Sequence, residues 1–413
     1  MATATDRRRH VVVLHRWRDH HARYADYLDH HAERVTYITT ALAAASVPAS
    51  AAEVVVVDAT DDLTATDAAL RRLSDRFGTP DRLVALNEGD LDTAAALRLR
   101  HGLAGQLPDQ LARYRDKLLM ARRVADAGLP VPPFADAPTV DAVRDFADRH
   151  GWPVVIKPRS GTASRGVARL DGDADLAGPT AIGSEPYLVQ RFVDAQILHV
   201  DGLWEGDRLG AWRASRYLNT CAEFTDGAYL GSVEIDDEPS LTAIGEFTAA
   251  VCAAFSAQPW VFHLETFIER GPDGTPRLSF LEAGARVGGA EIPFIWREVH
   301  GVDLVAAAID IQLGRVPLLP APEHHEVGGY LLLPTPVPAP CRVTDARWRD
   351  DTPVGGGPYT MVAPPPGTVI PRTGGYEHVG ARFRFRGSSS GSVEAAIRTT
   401  AGAYHLACVQ VSD

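Results

Sequence analysis

Two glutamates, Glu265 and Glu282, lie in short apolar stretches that are separated by a turn motif. Each stretch has the composition of a β-strand, and residues 271–274 read Gly-Pro-Asp-Gly, which is typical of a chain reversal. If the strands pair as a hairpin, the two carboxylates can face the same space. Clustered carboxylates repel each other, and a divalent cation that also holds phosphates is a natural partner. The pattern indicates a site for a divalent cation, with an ordinary surface hairpin carrying two solvated glutamates as the alternative.

A cationic, glycine-containing segment follows the second glutamate. Arg286 stands four residues after Glu282 and adds a fixed positive charge beside the expected site. Gly288 and Gly289 have no side chain, so backbone N–H groups can approach a ligand closely there. We expect this segment to lie close to a bound ligand.

A lysine near the end of a predicted strand precedes a small polar loop. Lys157 lies in the apolar strand 152–158, and residues 159–167 read Arg-Ser-Gly-Thr-Ala-Ser-Arg-Gly-Val. A strand-end lysine beside such a loop can neutralise and cap phosphate oxygens. It is not a Walker A motif, because the lysine precedes the glycines and no Gly-Lys-Ser/Thr occurs. A plain hairpin is the alternative interpretation.

The composition is that of a globular chain whose acidic balance limits its partners. The chain has 413 residues, 45% hydrophobic and 23% charged, with a formal net charge of −12 at pH 7. This length predicts roughly two to four domains, and the negative charge argues against general nucleic-acid binding. Four scattered cysteines match no metal or disulfide pattern, and no window has the apolar run of a signal peptide or membrane span. We expect reduced thiols, no membrane partner and a cytoplasmic protein.

Alternating strand and helix patterns at the start of the chain predict a parallel α/β sheet. The strand candidates are residues 11–14, 35–38, 51–57 and 83–86. No glycine-rich turn follows the first strand, which argues against dinucleotide binding. The glutamate-bearing strands belong to a second sheet, and short antiparallel strands follow a proline-rich segment. We predict an α/β and α+β multidomain protein whose parts are 1–111, 112–186, 187–318 and 319–413.

In combination, these motifs resemble those of the ATP-grasp superfamily. The elements that occur in the family's order are Asp116-Lys117, Ile156-Lys157-Pro158, Ser160–Gly166, Gln190-Arg191-Phe192-Val193, Glu265 and Glu282–Gly289. The resemblance implies an ATP-grasp fold with an N-terminal parallel α/β domain and a small C-terminal β-rich subdomain. Between them, central and C-terminal α+β lobes would enclose ATP. The resemblance also implies ATP and Mg²⁺ as cofactors, with Mn²⁺ as an alternative metal.

The resemblance implies a role for each matched position. Lys117 and Lys157 would contact the phosphates, and Glu265 and Glu282 would bind magnesium. The catalytic positions would be Arg286, Gly288 and Gly289. The loop expected to close over the β- and γ-phosphates comprises Ser160, Gly161, Thr162, Ala163, Ser164, Gly166 and Val167. The segment expected to contact the adenine, with its flanks, comprises Gln190, Arg191, Phe192, Val193 and Asp194.

Two positions depart from the family pattern. Many members have a ribose-binding glutamate seven residues beyond the position of Gln190, where this chain has Ile197, which leaves Asp194 as a candidate. Many members also have an asparagine two residues after the second metal glutamate, where this chain has Gly284 and so lacks one oxygen ligand. The lysine pair, the glutamate pair and Arg286 are present, so the resemblance still implies an active enzyme.

Within the superfamily, the chain resembles carboxylate–amine ligases of the L-amino acid ligase type. This implies an ADP-forming enzyme that makes an amide or peptide bond through an acyl phosphate, in natural-product or amino-acid metabolism. Its partners would be a small-molecule carboxylate and an amine. A phosphotransferase and a non-catalytic nucleotide-binding module are alternatives, and a homodimer is left open. The residues whose positions suggest substrate contact are Arg213, Arg216, Tyr217, His263 and Trp296. Glu291 and His300 lie nearby in sequence, but no base for the amine is assigned.

Overall fold

The structure, a computed structural model, describes residues 8–17, 21–161, 165–178, 182–320, 326–349, 357–372 and 379–411. The chain divides into two units, which comprise Met1–Arg113 with Asp303–Leu319, and Tyr114–Val302 with Pro320–Asp413. The helix Leu304–Leu313 thus belongs to the first unit, whereas the sequence analysis grouped it with residues 187–318. Among the described residues, no helix is long and apolar enough to cross a membrane.

The first unit is built on a parallel sheet. Its strands are β1 (His10–His15), β2 (Arg34–Thr40), β3 (Glu53–Val57) and β4 (Arg82–Ala85), in the order β3-β2-β1-β4. Its helices are α1 (Tyr24–Tyr27), α2 (Leu63–Phe77), α3 (Glu88–His101), α4 (Pro108–Leu111) and α10 (Leu304–Leu313). Buried Val12, Leu14 and Leu83 of the sheet pack with Leu70 of α2 and Leu97 of α3. The predicted parallel α/β sheet is confirmed.

A small antiparallel sheet opens the second unit. Its strands are β5 (Phe134–Asp136), β6 (Val154–Pro158), β7 (Ala168–Leu170) and β8 (Tyr187–Arg191), in the order β5-β8-β6-β7. The helices of this part are α5 (Lys117–Asp126) and α6 (Val140–His150). Phe146 of α6 is buried against Ile156 of β6 and Val189 of β8. β6 and β8 pair antiparallel, which places Lys157 and Gln190, two of the predicted nucleotide contacts, on neighbouring strands.

A larger antiparallel sheet forms the rest of the second unit. Its strands are β9 (Gln196–Trp204), β10 (Leu209–Tyr217), β11 (Leu230–Glu234), β12 (Trp260–Arg270), β13 (Pro276–Gly284), β14 (Val327–Leu333), β16 (Thr360–Val362) and β18 (Ala381–Gly387). Their order is β13-β12-β9-β10-β11-β14-β18-β16. The accompanying helices are α7 (Cys221–Thr225), α8 (Glu238–Phe255), α9 (Ile292–His300) and α11 (Ser390–Ala403). A separate sheet contains β15 (Cys341–Trp348), β17 (Val369–Ile370) and β19 (Tyr404–Gln410).

The two faces of the larger sheet differ in chemistry because side chains alternate along each strand. Val200 of β9, Phe262 of β12 and Phe280 of β13 point to one face, where they pack with Val251 and Phe255 of α8. Each such buried side chain contributes about 1.5–3 kcal/mol of hydrophobic stabilisation. This apolar face anchors the sheet and leaves the opposite face of the same strands free to carry polar groups.

The hairpin predicted between the two glutamate-bearing strands is confirmed. β12 and β13 pair antiparallel, and Glu265 is the direct partner of Glu282 in the register. The turn closes where the N–H of Gly274 donates to the carbonyl of Gly271 at 2.9 Å. A bulge follows Glu265 in the pairing, which locally redirects the strand next to that carboxylate.

Candidate active site

Lys117 is the first residue of α5, and the start of this helix is tied to the end of β6. The side chain of Asp116 caps the helix by accepting hydrogen bonds from backbone N–H groups of its first turn. Asp116 also pairs with Arg159, whose carbonyl accepts a hydrogen bond of 2.8 Å from the N–H of Lys117. Lys117 Nζ donates to the carbonyl of Gly161 at 3.2 Å and lies 3.3 Å from Glu282 Oε2. The capping aspartate therefore places a lysine beside a carboxylate of β13.

Lys157 lies on β6 and is 5% exposed. Its Nζ donates a hydrogen bond of 3.0 Å to Gln190 Oε1 on β8. Burial lowers the pKa of Lys157 from its ordinary 10.5 to about 8; Lys117 also lowers it, whereas the carboxylates of Glu282 and Glu265 oppose the shift. A bound polyanion would stabilise the charged form of this ammonium group.

The loop that follows β6 has glycine at two positions with positive φ. Gly161 has a φ of 151° and Gly166 a φ of 71°. A Cβ added at Gly166 would lie 2.8 Å from Pro158 Cγ, so glycine is favoured there by space as well as by conformation. Ser160 and Val167 are exposed. The predicted loop residues Thr162, Ala163 and Ser164 lie outside the described residues, and closure over phosphates stays a prediction.

The segment expected to contact adenine begins on β8, an interior strand of the small sheet, and continues beyond the end of that strand. Gln190 is buried, and its side chain is held by the lysine of β6. The N–H of Arg191 donates to the carbonyl of Pro133 at 2.9 Å, and the N–H of Phe192 donates to the carbonyl of Pro153 at 3.2 Å. Val193 and Asp194 follow directly in the chain. Because two of the N–H groups bond within the protein, other backbone groups of this segment would have to contact a base.

The carboxylates of Glu265 and Glu282 lie side by side in a partly enclosed space. Their side chains are 16% and 33% exposed. Burial and the neighbouring Glu282 raise the pKa of Glu265, although its Oε1 accepts a hydrogen bond of 2.9 Å from the hydroxyl of Tyr217. Burial would also raise the pKa of Glu282, but the ammonium groups of Lys117 and Lys157 bring it below its usual value. One carboxylate is thus compensated by lysines, and the other retains excess negative charge that a cation would balance.

Arg286 and two glycines form the loop that follows β13. The Arg286 side chain folds back, with Nη1 donating to the carbonyl of the next residue at 3.0 Å. Its Cγ lies 3.4 Å from the place of a Cβ at Gly284, the position without the family asparagine. A Cβ on Gly288 would lie 2.3 Å from Asp201 Oδ1, so this backbone touches a carboxylate of β9. Gly289 accepts a hydrogen bond from the start of α9. The loop therefore joins β13 to α9 across the sheet.

A row of buried polar side chains extends from the carboxylates across the middle of the sheet. They are His199, Asp201, Ser215, Ser232, Glu234 and His263. Asp201 Oδ2 accepts from His199 Nδ1 at 2.7 Å, and Oδ1 accepts from His263 Nδ1 at 2.9 Å. Burial alone would raise the pKa of Asp201, but the two histidines bring it far below its ordinary value. His263 Nε2 lies 3.8 Å from Glu265 Oε1, which connects this row to the carboxylate pair.

This His-Asp-His group also has the spacing of metal ligands. One ligand atom from each of His199, Asp201 and His263 lies within 4.8 Å of the others. Both oxygens of Asp201 already accept from a ring nitrogen, and the other nitrogen of His199 is hydrogen-bonded to Ser232 Oγ at 2.7 Å. The group is thus satisfied as a hydrogen-bonded network, and the glutamate pair is the better fit to a cation.

A second polar network lies farther along the same face. His300 Nε2 is 2.7 Å from Glu234 Oε1, and Glu234 Oε2 accepts a hydrogen bond of 2.6 Å from the N–H of Gly328. Arg213 Nη2 lies 3.2 Å from His300 Nδ1. A pocket opens between this network and α9, lined by His199, Asp201, Arg213, Ser215, Ser232, Glu234, Ile292, Ile295, Trp296, Gly328, Gly329 and Tyr330. It offers both signs of charge beside apolar side chains of the helix.

Comparison with known proteins identifies the architecture. No protein-family model matches the sequence. The L-amino acid ligase from Bacillus licheniformis superposes with a TM-score of 0.70 at 17% identity, over 99% of this chain and 100% of that one. The biotin carboxylase domain of the Hydrogenobacter thermophilus 2-oxoglutarate carboxylase, in complex with MgADP, gives a TM-score of 0.70 at 14% identity, over 97% of this chain and 91% of that one. The chain has the ATP-grasp fold.

Sequence relatives point to the same group of proteins. The L-arginine-specific L-amino acid ligase of Bacillus subtilis is 23% identical over 294 residues, which are 68% of this chain and 69% of the relative. The carbamoyl phosphate synthase large chain of Streptomyces coelicolor is 34% identical over 115 residues, which are 26% of this chain and only 10% of that protein. The expected ATP-grasp fold is confirmed, and the second similarity is confined to a short segment of a much longer chain.

Not all predicted substrate residues lie on the polar face of this ATP-grasp sheet. Arg213, Tyr217 and His263 do, and Trp296 of α9 faces the same pocket as Arg213. Arg216 does not, because adjacent residues of a strand point to opposite faces. Its guanidinium pairs with Glu394 of α11. The prediction that Arg216 contacts substrate is not supported by this placement.

The two acid–base groups noted near the loop are both committed to other contacts. Glu291 is fully buried and accepts hydrogen bonds from Arg382 and Arg384. His300 is 2% exposed and lies between Glu234 and Arg213. Neither has the accessibility that a base for a bound amine requires.

Five members of the polar row were not predicted from the sequence. They are His199, Asp201, Ser215, Ser232 and Glu234. A local pattern could have indicated four of them, because His-x-Asp and Ser-x-Glu each place two polar residues on one face of an otherwise apolar strand. That face had to be functional or hydrogen-bonded, since buried polar groups are costly without partners.

Proposed function

We propose that this protein is an ATP-dependent carboxylate–amine ligase that forms an amide or peptide bond through an acyl phosphate and releases ADP and phosphate. One observation carries the proposal: Glu265 and Glu282 are direct cross-strand partners, with Lys117 Nζ 3.3 Å from Glu282 and buried Lys157 acting on both carboxylates. Carboxylates beside lysines suit a magnesium–triphosphate, in which cation and anion are bound together.

The glutamate pair fits a divalent cation by its donor set. Carboxylate oxygens are preferred by Mg²⁺ and Mn²⁺, and the raised pKa of Glu265, caused by burial and by Glu282, indicates negative charge that lacks compensation. Magnesium bound by Glu265 and Glu282 would neutralise charge on the β- and γ-phosphates of ATP. Gly284 adds no oxygen ligand, so phosphate and water would complete the coordination.

The cationic residues would orient the triphosphate for transfer. Burial would raise the pKa of Glu282, but Lys117, Lys157 and Arg286 all lower it, so three positive charges act on this carboxylate. Arg286 stands on the loop after β13 and would contact the γ-phosphate. An oxygen of the substrate carboxylate would attack the γ-phosphorus, and the bond from that phosphorus to the β–γ bridging oxygen would break, so that ADP leaves. The three cations offset the repulsion between two anions in this step.

The second step would form the amide. The amine nitrogen would attack the acyl carbon and lose a proton, the carbon–oxygen bond to the phosphoryl group would break, and phosphate would leave with one former carboxylate oxygen and take up the proton. Arg286 and the N–H groups near Gly288 and Gly289 would stabilise the oxyanion of the tetrahedral species. Because an acyl phosphate reacts with water, the loop after β6 would have to cover it.

Arg213 lines the pocket beside α9 and can bind a carboxylate. Both oxygens of Asp201 and both oxygens of Glu234 are already hydrogen-bonded within the protein. An amino acid presents a carboxylate, and the named relatives of this chain include L-amino acid ligases. We therefore propose an amino acid as one substrate.

The test is phosphate release measured over a matrix of acids and amines, with the product mass determined for every active pair. A ligase releases ADP and phosphate only when acid and amine are both present, and the product mass equals acid plus amine minus water. The Glu282→Gln enzyme should lose turnover by at least about a hundredfold. Glu269→Gln changes an exposed carboxylate of β12, the strand that pairs with the strand of Glu282, and this variant should retain turnover. A stable phosphorylated substrate, or turnover that survives Glu282→Gln, would contradict the proposal.

A further inference from the structure

A fully buried carboxylate directly follows the glycine loop. Glu291 is 0% exposed and begins α9, where its carbonyl accepts from the N–H groups of Phe294 and Ile295. Its Oε1 accepts from Arg382 Nη1 at 3.2 Å, and its Oε2 accepts from Arg384 Nε at 2.5 Å. Both arginines lie on β18, more than ninety residues after Glu291 in the chain. Two cations from the C-terminal part thus hold one carboxylate at the start of α9.

The residue before Glu291 has an unfavourable backbone conformation. Ala290 has a φ of 53°, in the left-handed region that favours glycine. The N–H of Ile292 donates to the carbonyl of Gly289 at 3.2 Å, which closes a turn with Ala290 and Glu291 at its centre. With φ −94° and ψ 3° at Glu291, the turn has the features of type II′, whose first central residue is normally glycine. An alanine persists there only if contacts on either side fix the chain.

The same turn sets the position of the catalytic loop. Gly288 lies two residues before Ala290, and its backbone touches the Asp201 carboxylate of β9. Arg286 lies two residues earlier still, two residues after the end of β13. Any relaxation of φ at Ala290 would rotate the chain between α9 and Gly288, and would move Arg286 relative to the glutamate pair.

We propose that Arg382 and Arg384 are positioning residues, which hold Glu291 so that the strained Ala290 turn keeps Arg286 at the γ-phosphate. This inference rests on the proposed function, because it assigns Arg286 to that phosphate. The arginines act through Glu291 and through the turn, and they do not contact the nucleotide. The C-terminal strands are thereby part of the active-site scaffold.

Glu298, a second carboxylate partner of Arg384, provides a matched control. Arg384 Nη1 also donates to Glu298 Oε1 at 2.6 Å, and Glu298 Oε2 accepts from the hydroxyl of Tyr359 at 2.9 Å. Glu298 lies on α9, two turns beyond Glu291, and is remote in sequence from the loop. Loss of either carboxylate weakens the attachment of α9 to β18, but loss of Glu291 alone releases the Ala290 turn.

The experiment measures the affinities for ADP and for the non-hydrolysable β,γ-imido analogue of ATP, both with Mg²⁺, by calorimetry. Glu291→Gln should weaken the binding of the analogue about tenfold relative to the binding of ADP, because only the analogue has a γ-phosphate. Glu298→Gln should leave the ratio of the two affinities unchanged. Ala290→Gly in the Glu291→Gln background should restore most of the ratio, because glycine adopts the turn without strain. Melting temperatures of all variants establish that each is folded.

The outcomes separate the inference from the proposed function. If the wild-type chain binds neither nucleotide, the proposed function and the inference both fail. If the wild type binds both and Glu291→Gln leaves the ratio unchanged, the inference fails and the proposed function stands. A shift of equal size in Glu298→Gln, or no recovery with Ala290→Gly, would show that the arginines stabilise α9 in general and would also overturn the inference.

Discussion

Glu265 is the destabilising member of the carboxylate pair, so its replacement should raise the stability of the protein while it abolishes activity. Burial and Glu282 raise the pKa of Glu265, so its charged form is disfavoured in the folded protein, whereas the lysines favour the charged form of Glu282. In the absence of metal and nucleotide, Glu265→Gln should raise the melting temperature by about 1–3 °C, and Glu282→Gln should lower it. Both should abolish ATP turnover. Differential scanning fluorimetry with a chelator provides the comparison, and a lower melting temperature for Glu265→Gln would refute this assignment of charge.

The ATP affinity should depend on pH through Lys157. Its pKa is about 8 in the free protein because of burial, with Lys117 adding to the shift and Glu282 and Glu265 opposing it. The side chain is charged below this pH and loses its proton as the pH rises, whereas a bound triphosphate favours the charged form. We therefore expect the affinity for Mg-ATP to fall about tenfold between pH 7 and pH 9.

The Lys157→Arg variant distinguishes titration of Lys157 from titration of other groups. The guanidinium of Lys157→Arg stays charged throughout this range. The affinity of this variant for Mg-ATP, whatever its value at pH 7, should therefore stay nearly constant up to pH 9. Calorimetric titrations at constant ionic strength and saturating Mg²⁺ test both proteins. Parallel pH profiles for the wild type and Lys157→Arg would exclude Lys157 as the source.

A residue of the candidate site could be predicted from the sequence where its partner lies close to it in the chain. Glu265 and Glu282 were found because a turn motif joins their strands, so their pairing is local. Asp201 belongs to a local His-x-Asp pattern, but that pattern does not show its second partner, because Asp201 meets His263 only through the pairing of β9 with β12, a contact across 62 positions of the chain. Arg216 was proposed as a substrate contact together with Arg213, although a distance of three residues places the two on opposite faces of a strand.

At the scale of elements, the N-cap of α5 should matter for function as well as for stability. Asp116 caps α5 and pairs with Arg159, which fixes Lys117 at the end of β6. Asp62 caps α2 of the first unit in the same way, with hydrogen bonds to two backbone N–H groups. Asp116→Ala and Asp62→Ala should each reduce the free energy of unfolding by about 1 kcal/mol, and Asp116→Ala by somewhat more because the ion pair between Asp116 and Arg159 is also lost.

Only the cap of α5 should affect nucleotide binding. Asp116→Ala should weaken the binding of Mg-ATP by about threefold or more, because Lys117 loses its fixed position. Asp62→Ala should bind Mg-ATP as the wild type does. Denaturant unfolding and calorimetry provide the two measurements. Equal ATP affinities for the two variants would contradict the positioning role of the α5 cap.

At the scale of the whole molecule, the order of motifs predicted the fold better than any single motif did. Lysine, polar loop, adenine segment and glutamate pair follow one another as in the ATP-grasp superfamily, and the fold comparison confirms that architecture. The sequence did not show that strands after residue 319 extend the larger sheet. That arrangement depends on pairing of β14 with β11, which joins Leu332 to Leu230, and such long-range register has no local pattern.

The central claim is that the carboxylate of one substrate is phosphorylated by ATP before the amine attacks. The most direct measurement uses an acid labelled with ¹⁸O in both carboxylate oxygens, together with its amine partner from the matrix, and mass spectrometry of the released phosphate. The account predicts one ¹⁸O atom in each phosphate, ADP as the nucleotide product, and one ¹⁸O left in the amide. Phosphate without label, or release of AMP and pyrophosphate, would contradict it.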